Sequence, residues 1–162
     1  MAQHAVVVAF TSRCGATETL AHAAAVGVVN GRGLPRLRRL ADEGGPTPAG
    51  CLATLQRMQK EYVTPTEADI AGSPALIVVP SAGMTPASEV WQPFMAMLRI
   101  AAAAGPAGKL GAVVDAGDRH TVAAFASALE ACGFTLVATS GDPRAHGRAV
   151  VDAVALHSRT AG

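Results

Sequence analysis

The chain has 162 residues, half of them apolar and 15% charged, with a formal net charge of +1. That composition fits one globular domain with a sizeable core and argues against a disordered chain. The near-neutral charge gives no electrostatic case for nucleic acid or a membrane surface, and no apolar run approaches the roughly 20 residues of a membrane span. In chain order, Ala5 to Phe10 is an apolar run that reads as a strand (4–10) buried on both faces. A small, hydroxyl-rich loop, Thr11 to Thr17, follows, and then Leu20, Ala24 and Val28 recur at spacings of four, predicting a helix over 15–30. Leu34 to Leu40 predicts a weaker strand, placed at an edge by Arg36, Arg38 and Arg39. Asp42 to Gly50, rich in Gly and Pro, is a loop by composition. Helices are predicted over 50–62, 87–104, 120–132 and 144–158, and strands over 75–80, 109–114 and 134–138. Strands alternating with helices predict a three-layer α/β domain, residues 1–162, with a parallel sheet of five strands. Three cysteines, an odd number without metal-ligand spacing, point to a reducing cytoplasm rather than a disulfide framework.

The first loop carries the strongest chemical signal. A strand, a hydroxyl loop and a helix N-terminus together make an anion site, because the first helical N–H groups and the positive end of the helix dipole face the loop. Ser and Thr hydroxyls add donors, so a phosphate suits it. The loop has no Lys after Gly15, so it is no Walker loop, and only one glycine, so it lacks the dinucleotide fingerprint. Six residues after Cys14 stands Leu20 rather than the Arg of a cysteine-phosphatase loop. An ordinary capped helix start remains the plain alternative.

Ser12-Arg13-Cys14-Gly15-Ala16-Thr17 resembles the S-x-T-G-x-T phosphate loop of flavodoxins, with Cys14 in place of the usual Thr. Further along, Asp69-Ile70 leading into Ala75–Pro80, the Gly108-Lys109 entry to the fourth strand and Ala131-Cys132-Gly133 before the fifth are similar to the NAD(P)H:quinone oxidoreductases related to the tryptophan-repressor-binding protein. The resemblance covers nearly the whole chain. It implies strand order 2-1-3-4-5, with FMN at the carboxyl ends of strands 1, 3 and 4, that is, at loops Thr11–Thr17, Pro80–Pro86 and Asp115–Thr121.

On that resemblance Ser12, Arg13, Cys14, Gly15, Ala16 and Thr17 hold the phosphate, through backbone N–H groups and the Ser12 and Thr17 hydroxyls. Arg13 either adds a cation beside the phosphate or is solvated. Cys14 is either a reactive thiol at a helix N-terminus or, more commonly, a small residue filling the Thr position. Pro80, Ser81, Ala82 and Gly83 run along the flavin ring, with Gly83 allowing close approach. Trp91 either reaches the ring or packs in the core with Phe94, Met95 and Leu98; its helical spacing favours the core. Ala116, Gly117 and Asp118 meet the ring's pyrimidine edge, and Asp118 or Thr121 caps the next helix. His120 is the candidate catalytic residue, stabilising reduced flavin or positioning a hydride acceptor; a solvated residue at a helix start is its plain reading. The implied activity is an FMN-dependent oxidoreductase, with NAD(P)H as electron donor and a quinone or other small molecule as acceptor, and a homo-oligomer is left open. Two departures keep alternatives in view. None of the six aromatic residues falls squarely on the second or third loop, and the third loop is charged where relatives carry Gly, Ser and Thr. A flavodoxin-like binding or scaffolding domain that has lost FMN, or a one-electron carrier, are the rivals.

Overall fold

The computed structural model describes residues 3–41, 46–104, 108–138 and 141–162. Five strands, β1 (Ala5–Phe10), β2 (Leu34–Arg39), β3 (Ala75–Val79), β4 (Leu110–Val113) and β5 (Thr135–Leu136), form one sheet in the order 2-1-3-4-5. Every pairing is parallel, with Val6 of β1 opposite Pro35 of β2 and Ala75 of β3. The helices are α1 (Ala16–Asn30), α2 (Leu52–Glu61), α3 (Glu67–Ala71), α4 (Gln92–Ala104), α5 (Arg119–Ala131) and α6 (Pro143–Thr160). The central strands are buried on both faces, as their unbroken apolar runs require.

Alternate residues feed two cores. Val6, Val8, Phe10, Ile77 and Val79 pack with α1 and α6, whose Ala24, Val28, Val150 and Val154 complete that layer. Val7, Ala9, Leu76 and Val78 face the other way, against Ile70, Trp91, Phe94, Leu98, Phe125 and Leu129. The helices α1 and α6 cross at two glycines. A Cβ on Gly27 would stand 2.0 Å from the Arg144 carbonyl oxygen, and one on Gly147 2.0 Å from that of Ala24. The two backbones meet there directly, which fixes where α1, and the loop before it, sit on the sheet.

Several boundaries differ from the sequence expectation. The predicted helix over 87–104 begins only at Gln92, after turns whose Trp91 N–H donates to Ser88 O. The helix over 50–62 splits into a 3₁₀ turn (Ala49–Cys51) and α2, and β5 shrinks to two residues. Helix α3 was not anticipated. Its five residues are set by a capping box, Thr66 Oγ1 accepting from Asp69 N–H while the Asp69 carboxylate accepts from Thr66 N–H. Of the composition-defined loop over 42–50, residues 42–45 lie outside the described residues. Among the described residues no helix is long and apolar enough to cross a membrane.

Candidate functional site

The carboxyl ends of β1, β3 and β4 bring together the three loops expected to form a site, and each turns on a glycine with positive φ: Gly15 at 95°, Gly83 at 82° and Gly117 at 104°. Gly15 is the N-cap of α1 and has no side-chain cap. The first helical hydrogen bond of α1 runs from Thr19 N–H to Gly15 O, so the N–H groups of Ala16, Thr17 and Glu18 precede that ladder. The loop hydroxyls shape the turn rather than projecting from it. Ser12 Oγ accepts from Gly15 N–H at 3.0 Å, and the Thr17 hydroxyl donates back to Thr11 O. Both side chains are buried. Any anion held here is therefore held mainly by backbone N–H groups.

Two cations brace this loop from outside. Arg39, at the end of the edge strand and only 5% exposed, donates from Nε and Nη2 to Ser12 O at 3.2 and 2.8 Å. Arg13, half-buried, donates from Nη1 to Pro46 O at 3.0 Å.

Cys14 overturns the expectation of three reduced thiols. It is joined to Cys51 in a disulfide, with Cα atoms 4.8 Å apart and the two residues 37 positions apart in sequence. No short-range spacing signals such a pair, because Cys51 reaches Cys14 only once α2 has folded across the start of α1. Other contacts hold α2 there. The Glu18 carboxylate accepts from Arg57 Nη2 at 2.6 Å and Nη1 at 3.0 Å, and from Tyr62 OH at 2.6 Å. Tyr62 OH also meets His22 Nε2 at 2.6 Å, and its ring sits edge-on to Phe10. The Arg57 hydrogen bonds, and then that from Tyr62, hold Glu18 below the ordinary carboxylate range. Burial, then the neighbouring Glu18, pushes the Tyr62 hydroxyl up, so it stays a donor. Thr54 Cγ2 of α2 lies 3.4 Å from where a Gly15 Cβ would be, which leaves α2 standing directly over the first loop.

The second and third loops are lined by Ser81, Ala82 and Gly83 and by Ala116, Gly117 and Asp118. A Cβ at Gly83 or at Gly117 would meet nothing within 4 Å, so both glycines border open space. The loops also bond to each other. Gly83 N–H donates to Asp118 Oδ2 and Thr121 Oγ1, each at 3.1 Å. Asp118 caps α5 as expected, accepting from the N–H groups of His120 and Thr121. The Thr121 hydroxyl, donating to Asp118 Oδ2 at 2.9 Å, and then those N–H groups lower the Asp118 pKa. His120 is an exposed residue in the first turn of α5. Ser81 joins the first loop, its N–H donating to Thr11 Oγ1 at 3.3 Å. Trp91 is fully buried, its ring edge-on to Phe94 and Phe125, so it belongs to the core. A pocket of about 220 Å³ opens beside these loops, between Thr11, Ser12, Arg39, Leu40, Ser81 and Met84. It lies one strand toward the β2 edge and is smaller than the usual small-molecule site of about 300–1,000 Å³.

The sheet order, the layering and the three loops define a flavodoxin-like α/β fold. No family model and no curated protein matches the chain. Among solved structures it is similar to a flavodoxin from the domain Archaea, with 15% identity, a TM-score of 0.61, and coverage of 93% of this chain and 99% of that one. A diflavin flavoprotein A3 from Nostoc sp. aligns over 100% of both chains at 11% identity and a TM-score of 0.66. The two-electron reduced flavodoxin of Megasphaera elsdenii aligns at 16% identity and a TM-score of 0.61, over 91% of this chain and 98% of that one. At these identities the likeness establishes the fold.

Proposed function

We propose that this chain binds flavin mononucleotide at the carboxyl ends of β1, β3 and β4 and serves electron transfer between NAD(P)H and a quinone or similar small acceptor. The observation that carries the reading is the convergence of Gly15, Gly83 and Gly117, all left-handed, on the open end of the sheet beside the start of α1. The residues fit the phosphate end of such a cofactor. Ser12 and Thr17 set the turn, and the N–H groups of Ala16 and Thr17 face an anion at the positive end of a 15-residue helix. They also fit the ring end, since Pro80 to Gly83 and Ala116 to Asp118 are short side chains and both loop glycines border open space. The flavin supplies hydride uptake and release, which no pair of side chains in the site offers. Asp118 positions the third loop through Gly83, and His120, in the first turn of α5, is the residue we assign to the pyrimidine edge. The flavodoxins and the flavoprotein of the same fold support a flavin rather than another nucleotide. A cytoplasmic location belongs to the same reading, and there the disulfide is the oxidised form of a reducible pair.

A second reading, a flavodoxin-like domain that binds partners without FMN, is favoured by one observation. The Gly83 bonds to Asp118 and Thr121 close the second loop onto the third, where a ring would be inserted. Reconstitution separates the two. With FMN added, the proposal expects NADH or NADPH oxidation that depends on an added quinone, and His120→Ala should lower the two-electron potential of the bound flavin. A one-electron carrier would bind FMN yet show no NAD(P)H oxidation of its own. Protein that ignores FMN would support the second reading.

A further inference from the structure

The Cys14–Cys51 disulfide joins the start of α1 to that of α2. Cys14 is exposed and Cys51 half-buried. Each sulfur belongs to the start of a helix: Cys14 immediately precedes Gly15, the N-cap of the 15-residue α1, and Cys51 is itself the N-cap of the 10-residue α2. Both cysteines therefore lie at the start of a helical segment, Cys14 just before the N-cap of α1 and Cys51 at the end of the 3₁₀ turn that runs into α2. Such surroundings stabilise a thiolate, and so favour reduction and speed departure of the leaving sulfur. The third cysteine is the opposite case. Cys132 is the C-cap of α5, at a negative helix end, and burial pushes its thiol up.

We propose that Cys14–Cys51 is a thiol–disulfide exchange site whose electron donor is a dithiol, and that its redox state sets how firmly the first loop is held. A donor thiolate attacks the exposed Cys14 Sγ, the Cys14–Cys51 bond breaks, and the Cys51 thiolate leaves at the start of α2. The second donor thiol, as its thiolate, then attacks its own sulfur in the mixed disulfide and releases the Cys14 thiolate. The donor ends as a disulfide, oxidised by two electrons, and its two protons pass to the cysteines or to water. With the covalent tie broken, α2 is held over the loop by its buried Leu55 and Met58, by the Glu18–Arg57 contact and, at its C-cap, by Tyr62 on the same carboxylate. The exchange chemistry stands independently of flavin binding. Its use as a control on cofactor retention rests on the flavin reading.

The test uses the full chain in glutathione buffers of graded ratio and, separately, in dithiothreitol, with acid quenching and mass analysis after alkylation. The site should reduce within the millimolar glutathione range, and in reduced protein Cys14 should alkylate at pH 7 about ten-fold or more faster than Cys132. A pair that stays oxidised in glutathione, or a Cys14 no faster than Cys132, overturns the exchange site. Hydrogen exchange of the amides from Ser12 to Thr17 should speed by about ten-fold on reduction, and Cys51→Ser should exchange at the reduced rate under either condition. Unchanged exchange on reduction overturns the hold on the loop. Absence of FMN binding in both redox states would refute the flavin reading alone, since none of these readouts depends on it.

Discussion

Gly147→Ala probes the crossing that sets α1, and with it the first loop, on the sheet. An ideal Cβ at Gly147 would lie 2.0 Å from Ala24 O, 2.8 Å from Val28 N and 2.9 Å from Ala24 C. Those atoms are backbone of a neighbouring helix, and no flexible side chain can yield. Ordinary contact begins near 3.4 Å, so the helices must part by about 1 Å or more, loosening Val28, Val150, Val151 and Val154 along the seam. Overpacking costs about 1–3 kcal/mol, and a backbone clash belongs at or above the top of that range. Replacing Gly by Ala inside a helix returns about 1 kcal/mol. The expected net loss is about 2 kcal/mol or more, read as a lower urea midpoint at unchanged slope. Gly50→Ala is the control, because nothing lies within 4 Å of its Cβ, and it should fall within about 0.5 kcal/mol of the parent. A Gly147→Ala protein as stable as the parent would refute the direct backbone contact between α1 and α6.

Three further outcomes follow from buried polar groups. Asp69, hydrogen-bonded first by Arg38 and also by Thr66, has its carboxyl held down from 3.8 to about 2. That lowered value stabilises the fold above about pH 4 by about 2 kcal/mol, lost as pH falls from 4 to 2; urea titrations across this window should show a flatter profile for Asp69→Asn. Lys109 is buried, with its Nζ donating to the carbonyls of Ile70, Ala71 and Ser73 at 2.9, 3.2 and 2.8 Å. Lys109→Met keeps the apolar stem and should cost about 1.5–3 kcal/mol in urea unfolding, the scale of hydrogen bonds to a charged donor. Ser12→Ala with Thr17→Ala removes both hydroxyls that set the first turn, and should weaken FMN affinity by about 1–3 kcal/mol in a fluorescence titration while the overall fold, followed by circular dichroism, persists.

The sheet was readable in the sequence because its strands are buried on both faces, so Ala5–Phe10 and Ala75–Val79 are unbroken apolar runs between polar loops. The Arg-rich β2 was recognisable as an edge, though not that Arg38 would pair with Asp69 or that Arg39 would turn inward onto Ser12. The first loop was legible from its strand–loop–helix order. Its disulfide was not, since a bond across 37 residues depends on where α2 lies, and α2 is placed by long-range contacts between Glu18, Arg57 and Tyr62. Thr66 and Asp69 carry a local signal for α3, a Thr followed three residues later by an acid, but five residues are too few to show a helical apolar period. The Gly108-Lys109 pair, noticed through resemblance, has a structural reason here: Gly108 turns the chain at φ 89° and Lys109 caps the carbonyl end of α3.

Titration of the purified protein with FMN, followed by quenching of flavin fluorescence, tests the central claim most directly. It should be run on both oxidised and reduced protein, with Thr17→Ala beside the parent. The account predicts saturable binding of one flavin per chain with a Kd of about 1 μM or below in at least one redox state, weakened by Thr17→Ala. Fluorescence that stays at the free-flavin level through about 1 mM protein in both states would contradict it.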